Sequence, residues 1–181
     1  MPTPRVILYI ACSLDGYIAA KDGDVSYLNP YSDALAGFAD FQASIAASIM
    51  GRQTYEFVRQ FAPPDASGQP TYVLTTRRLG DVPSGVRPFA GEPAALVARV
   101  RRDLQDAGSP GDIWLVGGGH TASAFHAAAL IDLYRLFILP TTLGDGLRLF
   151  NPAVPATTRL TLTRTHTFPS GVVELVYEPR R

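Results

Sequence analysis

The stretch DIWLVGGGHTASAFHAAALI, residues 112–131, sets an apolar run, three glycines and an Ala-rich amphipathic run in direct succession. Glycine is the weakest residue for the interior of either a strand or a helix. Gly117, Gly118 and Gly119 must therefore serve a backbone shape, or a close approach that a side chain would block. The run before them reads as a strand and the run after them as a helix, so the triplet stands at a βα junction. A tight turn satisfies that pattern, and so does a ligand cradle, because a helix start offers unpaired amides and a positive dipole end to an anion such as phosphate. The triplet is not the G-x-G-x-x-G fingerprint, since Ala122 and the spacing both depart from it.

The rest of the chain limits what such a junction can belong to. With 181 residues, 46% hydrophobic and 18% charged, it is expected to form a single domain, residues 1–181, around one sizeable core. Sixteen basic and sixteen acidic side chains cancel, so no global field draws the protein to nucleic acid or to an anionic membrane, and any anion site must be local. The basic set is Lys21 and fifteen arginines, a bias of composition rather than a functional signal. The lone Cys12 cannot form an internal disulfide and is read as a small buried hydrophobe or a thiol. With no secretory or membrane-spanning run, a cytoplasmic protein is expected. Three scattered histidines with no cysteine partners make no recognisable metal site, and none is expected.

Along the chain, VILYIACS (6–13) reads as a central strand buried on both faces, with a turn at Asp15 and Gly16 and a loop over DGDVSYLNPYS. The segment SDALAGFADFQASIAA predicts a helix from Ser32, a candidate N-cap, with Leu35, Phe38, Phe41 and Ile45 on one stripe. A second helix is expected over RQTYEFVRQF and a loop over PPDASGQP. TYVLTT and VRPFA read as strands, and EPAALVARVRRDLQDAG reads as a helix closed by Gly108. DIWLV and LYRLFILP are strands around the TASAFHAAALI helix, and TRLTLTRTHTF with GVVELVYEP forms an antiparallel hairpin near Pro169, Ser170 and Gly171. Alternating strands and helices closed by a hairpin imply an α/β fold whose last strands run antiparallel.

Three segments then stand where strands end and helices begin: MGRQT (50–54), LTTRR (74–78) and VGGGHT (116–121). The carboxyl ends of strands line the ligand crevice of an open α/β sheet. Gly51 would allow a close backbone approach, Arg52 adds charge, and Thr54 can cap the next helix or bond an oxygen. Thr75 and Thr76 supply hydroxyls, and Arg77 and Arg78 supply planar cations suited to a terminal phosphate or an adenine.

ACSLDGYIA, IMGRQTYE, YVLTT and WLVGGGHTASAF, in that order and at those separations, resemble the dihydrofolate-reductase-like fold, and within it the RibD C-terminal-domain family of stand-alone reductases. The resemblance runs from about Val6 to Phe150 and fits the terminal hairpin. It implies a three-layer α/β fold with a mixed, mostly parallel central sheet, and NADPH as cofactor. Carried over residue by residue, it places Ala11 and Ile18 at the nicotinamide carboxamide, and Gly51, Arg52 and Thr54 at the pyrophosphate and 2′-phosphate. Leu74, Thr75, Thr76 and Arg77 fall at the adenosine edge. Val116, Gly117, Gly118, Gly119, His120 and Thr121 form the turn and helix start beneath the pyrophosphate, so that the glycines let the cofactor lie against the backbone.

For catalysis the resemblance offers two acids. Asp33 is the nearest counterpart of the carboxylate that contacts the pterin in dihydrofolate reductases, although its spacing from Asp15 is longer. Asp15, in the LDG turn, is either a catalytic group or a turn cap. The family's substrate-loop tryptophan is replaced by Tyr27 and Leu28, and its supporting threonine falls at Pro140, which argues against efficient dihydrofolate reduction. No Lys or Arg lies between Asp22 and Gly51, so the substrate is expected to be a neutral or cationic heterocycle, with Arg135 and Arg148 as the residues able to reverse that.

The expected function is an NADPH-dependent reductase acting on a C=N or C=O bond of a small pterin- or pyrimidine-like substrate. The alternatives are a non-catalytic NADP(H)-binding module, the riboflavin-biosynthesis 5-amino-6-(5-phosphoribosylamino)uracil reductase, and a flavin- or deazaflavin-binding protein. A homodimer is implied by the family, with Phe137, Leu147 and Phe150 as interface candidates.

Overall fold

The computed structural model describes residues 2–61, 68–151 and 157–180, so most of the loop expected over PPDASGQP lies outside the described residues. Val6–Ser13 forms β1, Tyr17–Ala19 forms β2, and a 3-10 segment spans Ser26–Leu35. Then come α1 (Phe38–Ala43), β3 (Ile45–Gly51), α2 (Arg52–Val58), β4 (Thr71–Leu74), β5 (Val86–Phe89) and α3 (Pro93–Asp106). The chain continues through β6 (Asp112–Gly117), α4 (Gly119–Ala127), β7 (Leu133–Leu139), β8 (Leu147–Arg148), β9 (Leu160–Thr167) and β10 (Val173–Pro179).

Eight strands form one sheet in the order β5-β4-β3-β6-β1-β7-β10-β9. The first six are parallel, and β10 then pairs antiparallel with both β7 and β9, giving the mixed sheet with a terminal hairpin that the sequence predicts. The alternation along β1 separates two cores. Val6, Leu8 and Cys12 pack with Leu96, Val97, Val100 and Leu104 of α3 and Ala122 and Phe125 of α4. Ile7 and Tyr9 face Phe41 of α1, Phe137 and the tyrosines of the 3-10 segment. Helices on both sides of a sheet are the three layers of the dihydrofolate-reductase-like fold.

One expected element is corrected. The helix foreseen over 32–47 does not form as a unit: Ser32 lies inside the 3-10 segment, Gly37 takes φ 86 and breaks the run, and only Phe38–Ala43 is α-helical. Ile45, Ala46 and Ala47 belong to β3, which is buried almost throughout between β4 and β6. A strand covered on both faces shows no alternation, and its alanines imitate helix propensity. Pairing in the sheet overrides that preference. Leu35, expected on the buried stripe, is 63% exposed. The loop foreseen over 22–32 is in part the 3-10 segment.

Because six strands are parallel, Phe89, Leu74, Gly51, Gly117, Ser13 and Leu139 all end at one edge of the sheet. Leu115, at 0% exposure in the middle of β6, holds that arrangement from beneath. Leu115→Ala is expected to lower the unfolding free energy by about 2–5 kcal/mol in chemical denaturation. Leu35→Ala is expected to change it by less than about 0.5 kcal/mol.

Candidate active site

The three segments singled out in the sequence meet at this edge. Gly51 pairs with Leu74, and Met50 pairs with Gly117, so the ends of β4, β3 and β6 stand side by side. A Cβ on Gly51 would strike the hydroxyl of Thr121, and one on Gly118 would lie 2.7 Å from the hydroxyl of Thr54. Thr54 thus faces the glycine turn instead of capping α2, whose N-cap position is Gly51 with no side-chain bond. Gly118, at φ 43, is likewise the N-cap of α4, and no side chain caps that helix start. The first amides of α4 remain free of side-chain acceptors.

The triplet also serves the protein's own packing. A Cβ on Gly119 would sit on the carbonyl oxygen of Arg148, and one on Gly117 would lie 3.0 Å from Ile10. Strand β8 therefore rests directly on the first residue of α4. β8 pairs with β2, joining Tyr17 to Arg148, and the Leu149 amide donates to the Gly16 carbonyl at 3.0 Å. This two-stranded flap carries Ile18 and packs beside β1, the strand that carries Ala11.

Cations gather at the β4 side. Arg52 is paired with Glu56 at 2.6 Å, whereas exposed Arg77 and Arg78 have no ion-pair partner among the described residues. The Thr75 hydroxyl accepts the Arg77 amide at 3.1 Å and fixes the turn there, with Thr76 exposed next to it. His120 is exposed on the first turn of α4, and Val116 is half-buried one residue before Gly117. All fifteen residues expected to bind the cofactor thus lie at the strand-end edge or on the flap over it.

The two acids expected to act in catalysis are held by the protein itself. Asp15 accepts from the Ser13 hydroxyl at 2.5 Å and from the amides of Leu143 and Gly144 at 3.1 and 2.7 Å. These bonds, the Ser13 hydroxyl foremost, hold its carboxyl at about 2, so it is ionised and cannot donate a proton near neutrality. Asp15 is a clamp between the β1–β2 turn and the β7–β8 loop. Asp33 accepts the Ser170 amide at 2.9 Å, and its contacts with Ser170 depress its pKa, so it braces the β9–β10 turn.

Sequence reading named Tyr27 and Arg148 on the substrate side, but it did not find Tyr17, Tyr31 and Thr141 as their companions beside the flap. The Tyr27 hydroxyl donates to the Tyr17 carbonyl at 3.2 Å, and the Tyr31 and Thr141 hydroxyls share a 2.5 Å hydrogen bond. Arg148 stacks over the Tyr17 ring. Its strand has only two residues, too few to show any periodicity. Arg135 is committed elsewhere, sharing the buried Glu174 with Arg164 in a cleft of about 660 Å³ between α1 and the hairpin. Arg5, Asp112 and Leu133, at or next to the N-terminal ends of β1, β6 and β7, line that cleft too, so it opens away from the strand-end edge. No group of three or more metal-ligating side chains occurs among the described residues.

Fold and edge together define an α/β protein of the dihydrofolate-reductase-like class. The chain belongs to the family described as the RibD C-terminal domain, whose model matches residues 4–174. It is 32% identical over 170 residues to the uncharacterized protein YwjB of Bacillus subtilis (strain 168), covering 93% of this chain and 94% of that one. Among solved structures it is similar to a putative riboflavin biosynthesis protein from Shewanella sp. PV-4, with TM-score 0.82, 26% identity, and 98% and 99% of the two chains covered. It also shares the fold of dihydrofolate reductase from Enterococcus faecalis complexed with NADP(H), with TM-score 0.68, 14% identity, and 99% and 98% covered.

Asp15 gains its low pKa on folding, so its contribution to stability is complete above its unfolded value of about 4 and is lost as pH falls toward the folded value. Asp15→Asn is expected to flatten the acid limb of a melting-temperature profile between about pH 4 and about pH 2. Gly119→Ala, by forcing β8 off α4, is expected to cost about 1–3 kcal/mol in denaturant unfolding.

Proposed function

We propose that the protein is an NADPH-dependent reductase that passes hydride to a C=N or C=O bond of a small, pterin- or pyrimidine-like substrate. The observation that carries this reading is the strand-end edge itself. An uncapped start of α4 at Gly118 stands next to the uncapped start of α2, with unpaired Arg77 and Arg78 at the neighbouring end of β4. Free helix amides suit a diphosphate, and paired guanidinium groups suit the terminal 2′-phosphate that separates NADPH from NADH. When bound, the nicotinamide supplies the hydride. Ala11, Ile18 and the flap orient it, and the tyrosine wall excludes water.

One observation favours a second reading, a module that binds NADP(H) without turning it over. Asp15 is engaged through both carboxylate oxygens in holding loops, and Asp33 accepts the Ser170 amide at its Oδ2. Sustained NADPH oxidation in the presence of any pterin- or quinone-like acceptor excludes that module.

The reading includes a cytoplasmic homodimer. No helix among the described residues is long and apolar enough to cross a membrane. Phe137, one interface candidate, is buried at 3% exposure and unavailable, while Leu147 and Phe150 are exposed at 47% and 37%. Strand β9 is a stronger candidate: it is a free edge of eight residues, exposed beyond Leu160, with Leu162 48% exposed. A second copy adding its own β9 would satisfy that edge. Light scattering is expected to give a dimer for the wild type and a monomer for Leu162→Arg.

The cofactor assignment is tested by calorimetric titration with NADPH and with NADH. The wild type is expected to prefer NADPH, and Arg77→Ala with Arg78→Ala is expected to weaken NADPH by about 1.5–3 kcal/mol while leaving NADH unchanged. Equal affinity for the two nucleotides in the wild type would sink the assignment.

A further inference from the structure

Arg148, on the flap beside the strand-end edge, carries a charge that the fold fixes and leaves without an ion-pair partner among the described residues. Its backbone is anchored twice, by pairing with Tyr17 and by the seat of its carbonyl on Gly119. Its side chain is anchored as well. The guanidinium lies 4.7 Å from the centroid of the Tyr17 ring, and Nη2 donates to the Tyr17 hydroxyl at 2.9 Å. Tyr17 is itself 6% exposed, so the platform under the cation is rigid.

Several arginines fixed elsewhere on the fold meet carboxylates, as Arg5 meets Asp112, Arg101 meets Asp132 and Arg135 meets Glu174, while Arg59 lies over the Tyr55 ring and Arg180 donates to the Thr161 hydroxyl. Arg148 meets no carboxylate among the described residues. Asp145, close enough to feel its charge, is bound by Lys21, and Asp15 is filled by Ser13, Leu143 and Gly144. Holding a long cationic side chain in one geometry costs conformational freedom, and nothing on the fold's own stability requires an unpaired charge there. A planar fork held over an aromatic ring, with its remaining N–H donors open to solvent, is prepared for a carboxylate or a phosphate.

We infer that Arg148 is the fixed cation for an anionic group on a ligand bound at the strand-end edge beside the β2–β8 flap. This deepens the proposed function and rests on it. It reverses the expectation of a neutral or cationic substrate: the ring lies against tyrosines, and an appended carboxylate or phosphate meets Arg148. The diphosphate of the cofactor is the other possible source of the anion, and the experiment separates the two.

The test titrates NADP+-saturated protein with pterin and with pterin-6-carboxylate, which share a ring and differ in the anion, following pterin fluorescence. The wild type is expected to bind the carboxylate about tenfold tighter, Arg148→Ala to erase that difference, and Arg148→Lys to keep part of it. Tyr17→Phe, which keeps the ring and removes the bond that fixes the fork, is expected to lose a smaller share. Arg148 is exposed, so folding should survive its replacement, and melting curves check this. A tenfold loss of NADP+ affinity in Arg148→Ala, with no preference between the pterins, would assign the anion to the cofactor. No change in either affinity overturns the inference. Absence of NADP+ binding by the wild type sinks the reductase reading instead, and the pterin pair titrated without nucleotide then decides the role of Arg148 alone.

Discussion

The seat of the Arg148 carbonyl on Gly119 is the contact on which the edge of the sheet depends. It brings a distant strand down onto the first turn of α4. Through the Leu149 amide it also ties that strand to the β1–β2 turn. Gly118 does the same for α2 by admitting the Thr54 hydroxyl. One short turn therefore sets the positions of two helices, the flap and the ends of β3 and β6. A side chain at either glycine would force apart the helix starts, the flap and the strand ends that meet there. The glycines are consequently explained by the protein's own close packing before any ligand is considered, and the cradle for an anion follows from that packing.

Charge is distributed by the same logic. The chain is neutral overall, and several of its carboxylates hold segments together. Asp15 joins the β1–β2 turn to residues 143 and 144, Asp33 braces the hairpin turn, and Asp132 accepts both the Val6 amide and Arg101. Exposed ion pairs contribute about 0–1 kcal/mol each, far less than the burial of the two cores, so these bonds act by placing segments. Arg77, Arg78 and Arg148, among the arginines with no ion-pair partner in the described residues, lie at or beside the edge where strands end. A neutral protein thereby presents a local positive field without becoming a general polyanion binder.

Much of this was legible in the sequence, because the informative features are local. β1 and β6 show as short apolar runs and the terminal hairpin as alternation around a turn, and the three strand-to-helix junctions carry their glycines, threonines and arginines in short runs. What was not legible depends on distant partners. β3 imitates a helix because burial on both faces removes alternation, and the flap unites Tyr17 with Arg148, 131 residues away. Asp15 reads as a catalytic acid or as a cap until Leu143 and Gly144, 128 and 129 residues on, are seen to claim it. Asp33 was placed by family spacing near a substrate, and its amide partner lies 137 residues ahead in the hairpin turn. Local pattern drew attention to the strand-end edge but could not show which of its polar groups were already engaged.

That engagement constrains the chemistry a reductase on this frame can perform. Reduction of a C=O or neutral C=N bond needs a proton as well as a hydride, and the proton source must be protonated at working pH. Asp15, held at about 2, is not, and the depressed pKa of Asp33 removes it from the same role. The Tyr27 phenol is shifted the other way: burial raises its pKa and strengthens its hold on its proton, which already bonds the Tyr17 carbonyl. None of these three groups supplies the proton, and one already carried by the substrate needs no donor from the protein. A C=N bond that is protonated or cationic before hydride arrives meets that condition with no acid from the protein. Such a ring, carrying its negative charge on an appended group, would match both the tyrosine wall and the isolated cation of Arg148.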